Sequence, residues 1–141
     1  MANGHFYIED LEIGMEAAHV RVVTGSDIEI FAELSGDNNP VHLDADFAAK
    51  SPFKARIAHG MLTASFISTI LGTKLPGYGC IYLSQTLRFK APVKIGDTVR
   101  ALARISSLDR DKRRAGLDCT ASVGDKVVLE GEALVLVPSR S

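Results

Sequence analysis

Apolar positions along this chain follow two different periods, and the change from one to the other separates a helical part from a stranded part. Ile28, Phe31 and Ala32 recur at helical spacing behind Ser26-Asp27-Ile28-Glu29. That tetrad has the form of a capping box, in which the Ser and Glu side chains satisfy amides at a helix start. A short helix is therefore expected over residues 27–35, with Gly36 suited to its exit. Asp37, Asn38 and Asn39 are loop formers, and Pro40 keeps Asn39 out of the helical region. A second helix is expected over residues 60–71. There Met61, Leu62, Ala64, Phe66, Ile67, Ile70 and Leu71 cover most of the circumference, the pattern of a buried helix. Gly72 and Pro76 are expected to end it.

Beyond that helix the period becomes two. Val99, Ala101, Ala103 and Ile105 share one face against Arg100 and Arg104. Leu117, Cys119, Ala121 and Val123 alternate with Asp118, Thr120 and Ser122, and Val127, Leu129, Ala133, Val135 and Val137 alternate with polar residues over part of the last segment. Gly124-Asp125-Lys126 is short enough to make the last two strands an antiparallel hairpin. Residues 81–89 form another expected strand, and one more is expected near residues 16–23. Strands segregated from helices favour an α+β fold, with an antiparallel sheet packed on one long apolar helix.

Composition narrows the classes. With 141 residues the default is a single domain, and 46% hydrophobic against 23% charged residues excludes disorder and fibres. Sixteen basic against 17 acidic residues leave a net charge of −1, too little positive surface for broad nucleic-acid binding. Cys80 and Cys119 are too few for a disulfide scaffold and lack metal-ligand spacing. The segment from Met1 to Asp10 has no basic end followed by an apolar stretch, so no signal peptide is expected, and no apolar run approaches the roughly 20 residues that cross a bilayer. A cytoplasmic protein is expected.

The chemistry concentrates in Phe31-Ala-Glu-Leu-Ser-Gly-Asp-Asn-Asn-Pro-Val-His42. Asp37 and His42 stand across a loop stiffened by Pro40, and a rigid turn can bring a carboxylate and an imidazole to one water. Histidine serves as acid or base near neutrality. The same residues also fit an Asx-type turn with an exposed His. Asp37, His42, Asp44 and Asp46 cluster as well, but their spacing matches neither zinc patterns nor the calcium loop, so no metal is expected.

Residues 31–48 closely resemble the signature of the (R)-specific enoyl-CoA hydratases, members of the MaoC-like hot-dog family. The matching positions are Phe31, Leu34, Ser35, Gly36, Asp37, Asn39, Pro40, Val41, His42 and Ala48. The resemblance continues through Ile57-Ala-His-Gly-Met-Leu62 and Ser68, then Tyr82 to Phe89 and Pro92 to Asp97. It implies a hot-dog fold, an antiparallel sheet wrapped around a long helix, and reversible syn-addition of water to a trans-2-enoyl-CoA giving the (R)-3-hydroxyacyl-CoA. It also implies roles. Asp37 and His42 would hold and deprotonate water and protonate the α-carbon, and the Gly60 amide would stabilise charge on the thioester oxygen. Asn39 would position the loop or the water. Ser68 aligns with a polar residue lining the family's site, and equally fits a serine bonded back to its own helix. His59 reads as a helix-start residue rather than a catalyst, and His5 and His19 read as surface residues.

The resemblance implies an acyl-CoA thioester as substrate, no separate cofactor, and a homodimer or higher homo-oligomer, which would cover open sheet edges. Lys54, Arg56, Arg88 and Lys90 are candidates to meet CoA phosphates, and Arg110 to Arg114 reads as a solvated hairpin turn. Three alternatives remain: a 3-hydroxyacyl-carrier-protein dehydratase, a thioesterase, and a non-catalytic acyl-CoA-binding module. Residues 61–71 lack the acidic side chain that a thioesterase places on or near this helix.

Overall fold

Inward positions along the two central strands carry side chains with no solvent exposure, and those positions face one helix. The computed structural model describes residues 4–141; Met1, Ala2 and Asn3, the beginning of the stretch read for a leader, lie outside the described residues. The helices are α1 (Gly25–Ser35), α2 (Pro40–Leu43), α3 (Ala45–Ala49) and α4 (Gly60–Thr73). The strands are β1 (Glu16–Val22), β2 (Ile81–Gln85), β3 (Arg88–Phe89), β4 (Thr98–Asp109), β5 (Arg114–Val123) and β6 (Lys126–Leu136). They form one antiparallel sheet in the order β1-β4-β5-β6-β2, with β3 also pairing with β6. The sheet wraps around α4, which packs against β4, β1 and β5. This is the expected α+β hot-dog arrangement.

Ile67 and Ile70 of α4 meet Val99, Ala101, Ala103 and Ile105 of β4 and Leu117 and Ala121 of β5 in one fully buried cluster. Each large member contributes roughly 1.5–3 kcal/mol by leaving water. The alanines leave room for the helix to approach the strands. No described helix is long and apolar enough to cross a membrane.

The local expectations are corrected in five places. The α1 capping box is Thr24 with Asp27, two residues ahead of the expected Ser26 with Glu29: Asp27 N–H donates to Thr24 Oγ1 and Thr24 N–H to Asp27 Oδ2, both at 3.1 Å. Gly72 lies inside α4, which runs on to Thr73. The segment expected as one strand over residues 81–89 is split into β2 and β3. Between them Thr86 leaves the ladder and exchanges two bonds with Glu132, its N–H donating to Glu132 O and its Oγ1 accepting Glu132 N–H. In β6 a register shift pairs Ala121 with Leu129 but Ser122 with Val127, so Val128 is the extra residue. Val127 consequently turns outward at 39% exposure while Val128 is buried at 3%. His19 is half-buried with its ring 5.8 Å from that of Phe66, and burial lowers its pKa.

Other expectations hold locally. Gly36 ends α1 in the left-handed region at φ 82°. Gly124-Asp125 is a two-residue turn between the paired Val123 and Lys126. The basic run forms the β4–β5 turn, where the Arg110 guanidinium donates to Leu11 O.

Candidate active site

Asp37 and His42 are placed by hydrogen bonds within the segment that runs from the end of α1 to the start of α4. After Gly36, Ser35 Oγ donates to Phe31 O and accepts Asp37 N–H, so the end of α1 fixes where Asp37 begins. Asp37 Oδ1 accepts Asn39 N–H at 3.3 Å. Asn39 Oδ1 accepts Val41 N–H at 3.2 Å and so caps the single turn of α2, with Pro40 at its first position. Of the two roles expected for Asn39, its oxygen serves the loop, and the residue does not border the cavity.

That one turn carries His42 inward, to 8% exposure. Its Nδ1 lies 2.8 Å from Ile57 O. A carbonyl oxygen only accepts, so Nδ1 donates to it, and Nε2 is the ring nitrogen that this bond leaves uncommitted. The Arg56 Nε–H donates to His42 O at 2.7 Å, holding the backbone of the same residue.

His59 directly precedes α4 and is 2% exposed. Its Nε2 donates to Asp37 O at 2.9 Å, and its ring stacks on that of His42 with centroids 3.8 Å apart. Asp37, His42 and His59 each contribute one donor atom to a group whose members lie within 4.8 Å of one another. Among the described residues this is the one group of three such side chains whose ligand-type atoms come this close together. It differs from the cluster weighed on the sequence, because Asp44 instead caps α3, accepting the Asp46 and Phe47 amides.

Gly60 is the first residue of α4, where backbone amides have no intrahelical acceptor and the helix dipole favours negative charge. An ideal Cβ there would lie 2.6 Å from Phe89 Cε1, so the ring of Phe89 stands over this glycine. Asp37, His42, His59 and Gly60 border one cavity of about 630 Å³, whose other walls include Phe31, Phe53, Met61 and Leu129. That volume lies in the range of small-molecule sites.

Ser68 lies exposed on α4 and does not border this cavity in the single chain. The helix hydroxyls recorded bonding back along α4 are instead Ser65, Thr69 and Thr73. Of the basic candidates, Lys90 borders the cavity, with Nζ 3.5 Å from Glu130 Oε1, while Lys54, Arg56 and Arg88 do not. The reading of the sequence missed Phe53 and Phe89 as cavity walls. It also missed Arg56 as the support of His42; no spacing signal connects an arginine to a carbonyl 14 residues away.

Residues 11–127 match the family described as MaoC-like domain. The chain is 54% identical over 134 residues to the 3-hydroxybutyryl-CoA dehydratase of Methylorubrum extorquens, spanning 95% of this chain and 85% of that protein. It is 51% identical over 134 residues to the (R)-specific enoyl-CoA hydratase of Rhodospirillum rubrum, spanning 95% of this chain and 93% of that protein. Among solved structures, the unliganded R-hydratase PhaJ1 of Pseudomonas aeruginosa superposes with a TM-score of 0.92 at 40% identity, covering 99% of this chain and 89% of that one.

Proposed function

The chain belongs to the MaoC-like domain family, and on that premise we propose that it is an (R)-specific enoyl-CoA hydratase, adding water reversibly to trans-2-enoyl-CoA to give (R)-3-hydroxyacyl-CoA. The relative called a 3-hydroxybutyryl-CoA dehydratase bears the name of the same chemistry run backwards. The observation that carries the reading is the pairing of Asp37 with a His42 whose Nδ1–H is committed to Ile57 O.

His42 Nε2 accepts one proton of the water while the Asp37 carboxylate holds the other by a hydrogen bond. The water oxygen then bonds to C3. Electron density moves onto the thioester oxygen, where the Gly60 amide and the α4 dipole stabilise it. His42 returns its proton to the α-carbon, and the second proton stays in the new hydroxyl. Oxygen and hydrogen arrive from one wall of the cavity, which makes the addition syn. CoA is part of the substrate and no resident cofactor is called for. On this reading Lys90, a cation on the cavity wall, is the candidate to meet the CoA phosphates.

A homodimer goes with this reading. β2 lies at one end of the strand order with Ile81, Tyr82 and Leu83 exposed, and an apolar open edge invites a partner strand. Light scattering should give twice the 15.1 kDa chain mass. A cytoplasmic location goes with it too, since Cys80 and Cys119 are both free thiols.

The deciding experiment follows the ultraviolet absorbance of crotonyl-CoA with purified protein, coupled to an (R)-3-hydroxyacyl-CoA-specific dehydrogenase. Loss of the conjugated enoyl signal with coupled turnover is expected. No loss with crotonyl-CoA, or with longer and branched enoyl-CoAs, would refute hydratase activity on CoA thioesters, and the same assay on carrier-protein thioesters would then decide between a dehydratase and a binding module.

A further inference from the structure

His59 occupies the residue before α4, yet its side chain makes no capping bond, and Ser, Thr, Asp or Asn would serve a helix start better. Its Nδ1 is buried without a partner, which is unfavourable in itself. A helix-start role explains neither fact. What the ring does instead is lateral. Nε2–H donates to Asp37 O at 2.9 Å, one face lies on the His42 ring at 3.8 Å with 24° between planes, and the Phe31 ring stands 4.9 Å away.

We infer that His59 is a positioning residue for the reaction, a single ring that holds the Asp37 peptide through Nε2–H and braces the His42 imidazole face to face. A lone hydrogen bond from Nδ1 to Ile57 O leaves the His42 ring able to swing about that bond, and a ring lying on its face removes the motion. His59 also leads directly into Gly60, so the residue that braces the acid–base pair adjoins the amide that receives the thioester oxygen.

Two substitutions separate the two contacts. His59→Phe keeps an aromatic face and loses the N–H; His59→Asn offers an N–H and loses the face. Each should lower kcat by about 10–100-fold with KM little changed, since a displacement of about 1 Å at a reacting group has that effect. Because His59 acts partly through Asp37, the combination of His59→Phe with Asp37→Asn should cost less than the product of the two single effects. Normal kcat in both single variants would overturn the inference.

The kinetic arm rests on the hydratase reading; a second arm does not. In the NMR spectrum of the unmodified protein, cross-relaxation is expected between ring protons of His42 and His59. The His42 Cε1 proton should carry an upfield ring-current shift that His59→Phe retains and His59→Asn abolishes. Absence of the cross-relaxation overturns the brace without any variant. If the brace is present while no enoyl thioester is hydrated, the proposed activity fails and the positioning of His42 stands.

Discussion

The wall formed by α4 with β4 and β5 and the wall formed by residues 35–60 are both ordered, by opposite means. The first is built of apolar side chains without solvent exposure, held by area removed from water. The second carries Asp37 and Asn39 in the open and is held by hydrogen bonds, many of them spanning two to four residues: Ser35 to Phe31, Asp37 to Ser35, Asn39 to Asp37, Val41 to Asn39. Longer bonds then tie this chain of turns to the core: His42 to Ile57, Arg56 to His42, and His59 to Asp37. Hydrophobic burial is non-directional, so it can supply stability but cannot aim a carboxylate. Hydrogen bonds are directional and individually weak, so they can aim it while adding little stability. The molecule assigns each task to the wall suited to it.

Substitutions should divide along the same line. The largest effect is expected at the directional wall: His42→Ala and Asp37→Asn should each lower kcat by about 10²–10⁴-fold in the crotonyl-CoA assay while the chain stays folded, because each removes a proton-transfer group. A variant that lost its fold along with its activity would erase the contrast. Next comes the apolar wall. Leu117→Ala, at a fully buried position on β5, should lower unfolding free energy by about 2–5 kcal/mol in urea titration while kcat per folded molecule is kept. The smallest effect belongs to the junction before α1, where Thr24→Ala should cost about 1 kcal/mol through the lost cap.

The same junction has a pH signature. The Arg21 guanidinium, 2.6 Å from Asp27 Oδ1, holds that carboxyl below its ordinary 3.8. The folded chain therefore binds this proton less readily than the unfolded one. The contribution is whole above pH 3.8 and fades as pH falls below it. Melting curves of Asp27→Asn and the parent chain should therefore converge in acid.

The apolar wall was far more legible in the sequence than the directional one. Period-two alternation marks β4 and β5 because burial acts on every second residue, and the all-round apolar pattern marks α4 for the same reason. The errors fall where hydrogen bonds choose between equivalent readings. Thr24 and Ser26 can each open a capping box, and the choice went to Thr24, whose partner Asp27 also meets Arg21 on β1. The short α2 and α3 have no period to detect. Val128 turns inward because of a register shift that alternation alone cannot reveal. Within the site, Asp37, His42 and Gly60 were readable from their motif and do border the cavity, whereas Ser68 does not border it in the single chain. Phe89 reaches the cavity from the sheet, across a distance in sequence that no local pattern records.

The contact between Gly60 and the Phe89 ring couples two positions 29 residues apart. Any other residue at 60 must displace that ring, and the ring stands beside the amide proposed to receive the thioester oxygen. As this chain diverges, the dependence runs in one direction: position 89 can shrink by itself, whereas a side chain at 60 needs the ring at 89 to have moved or shortened first, so change at this corner of the cavity has an order.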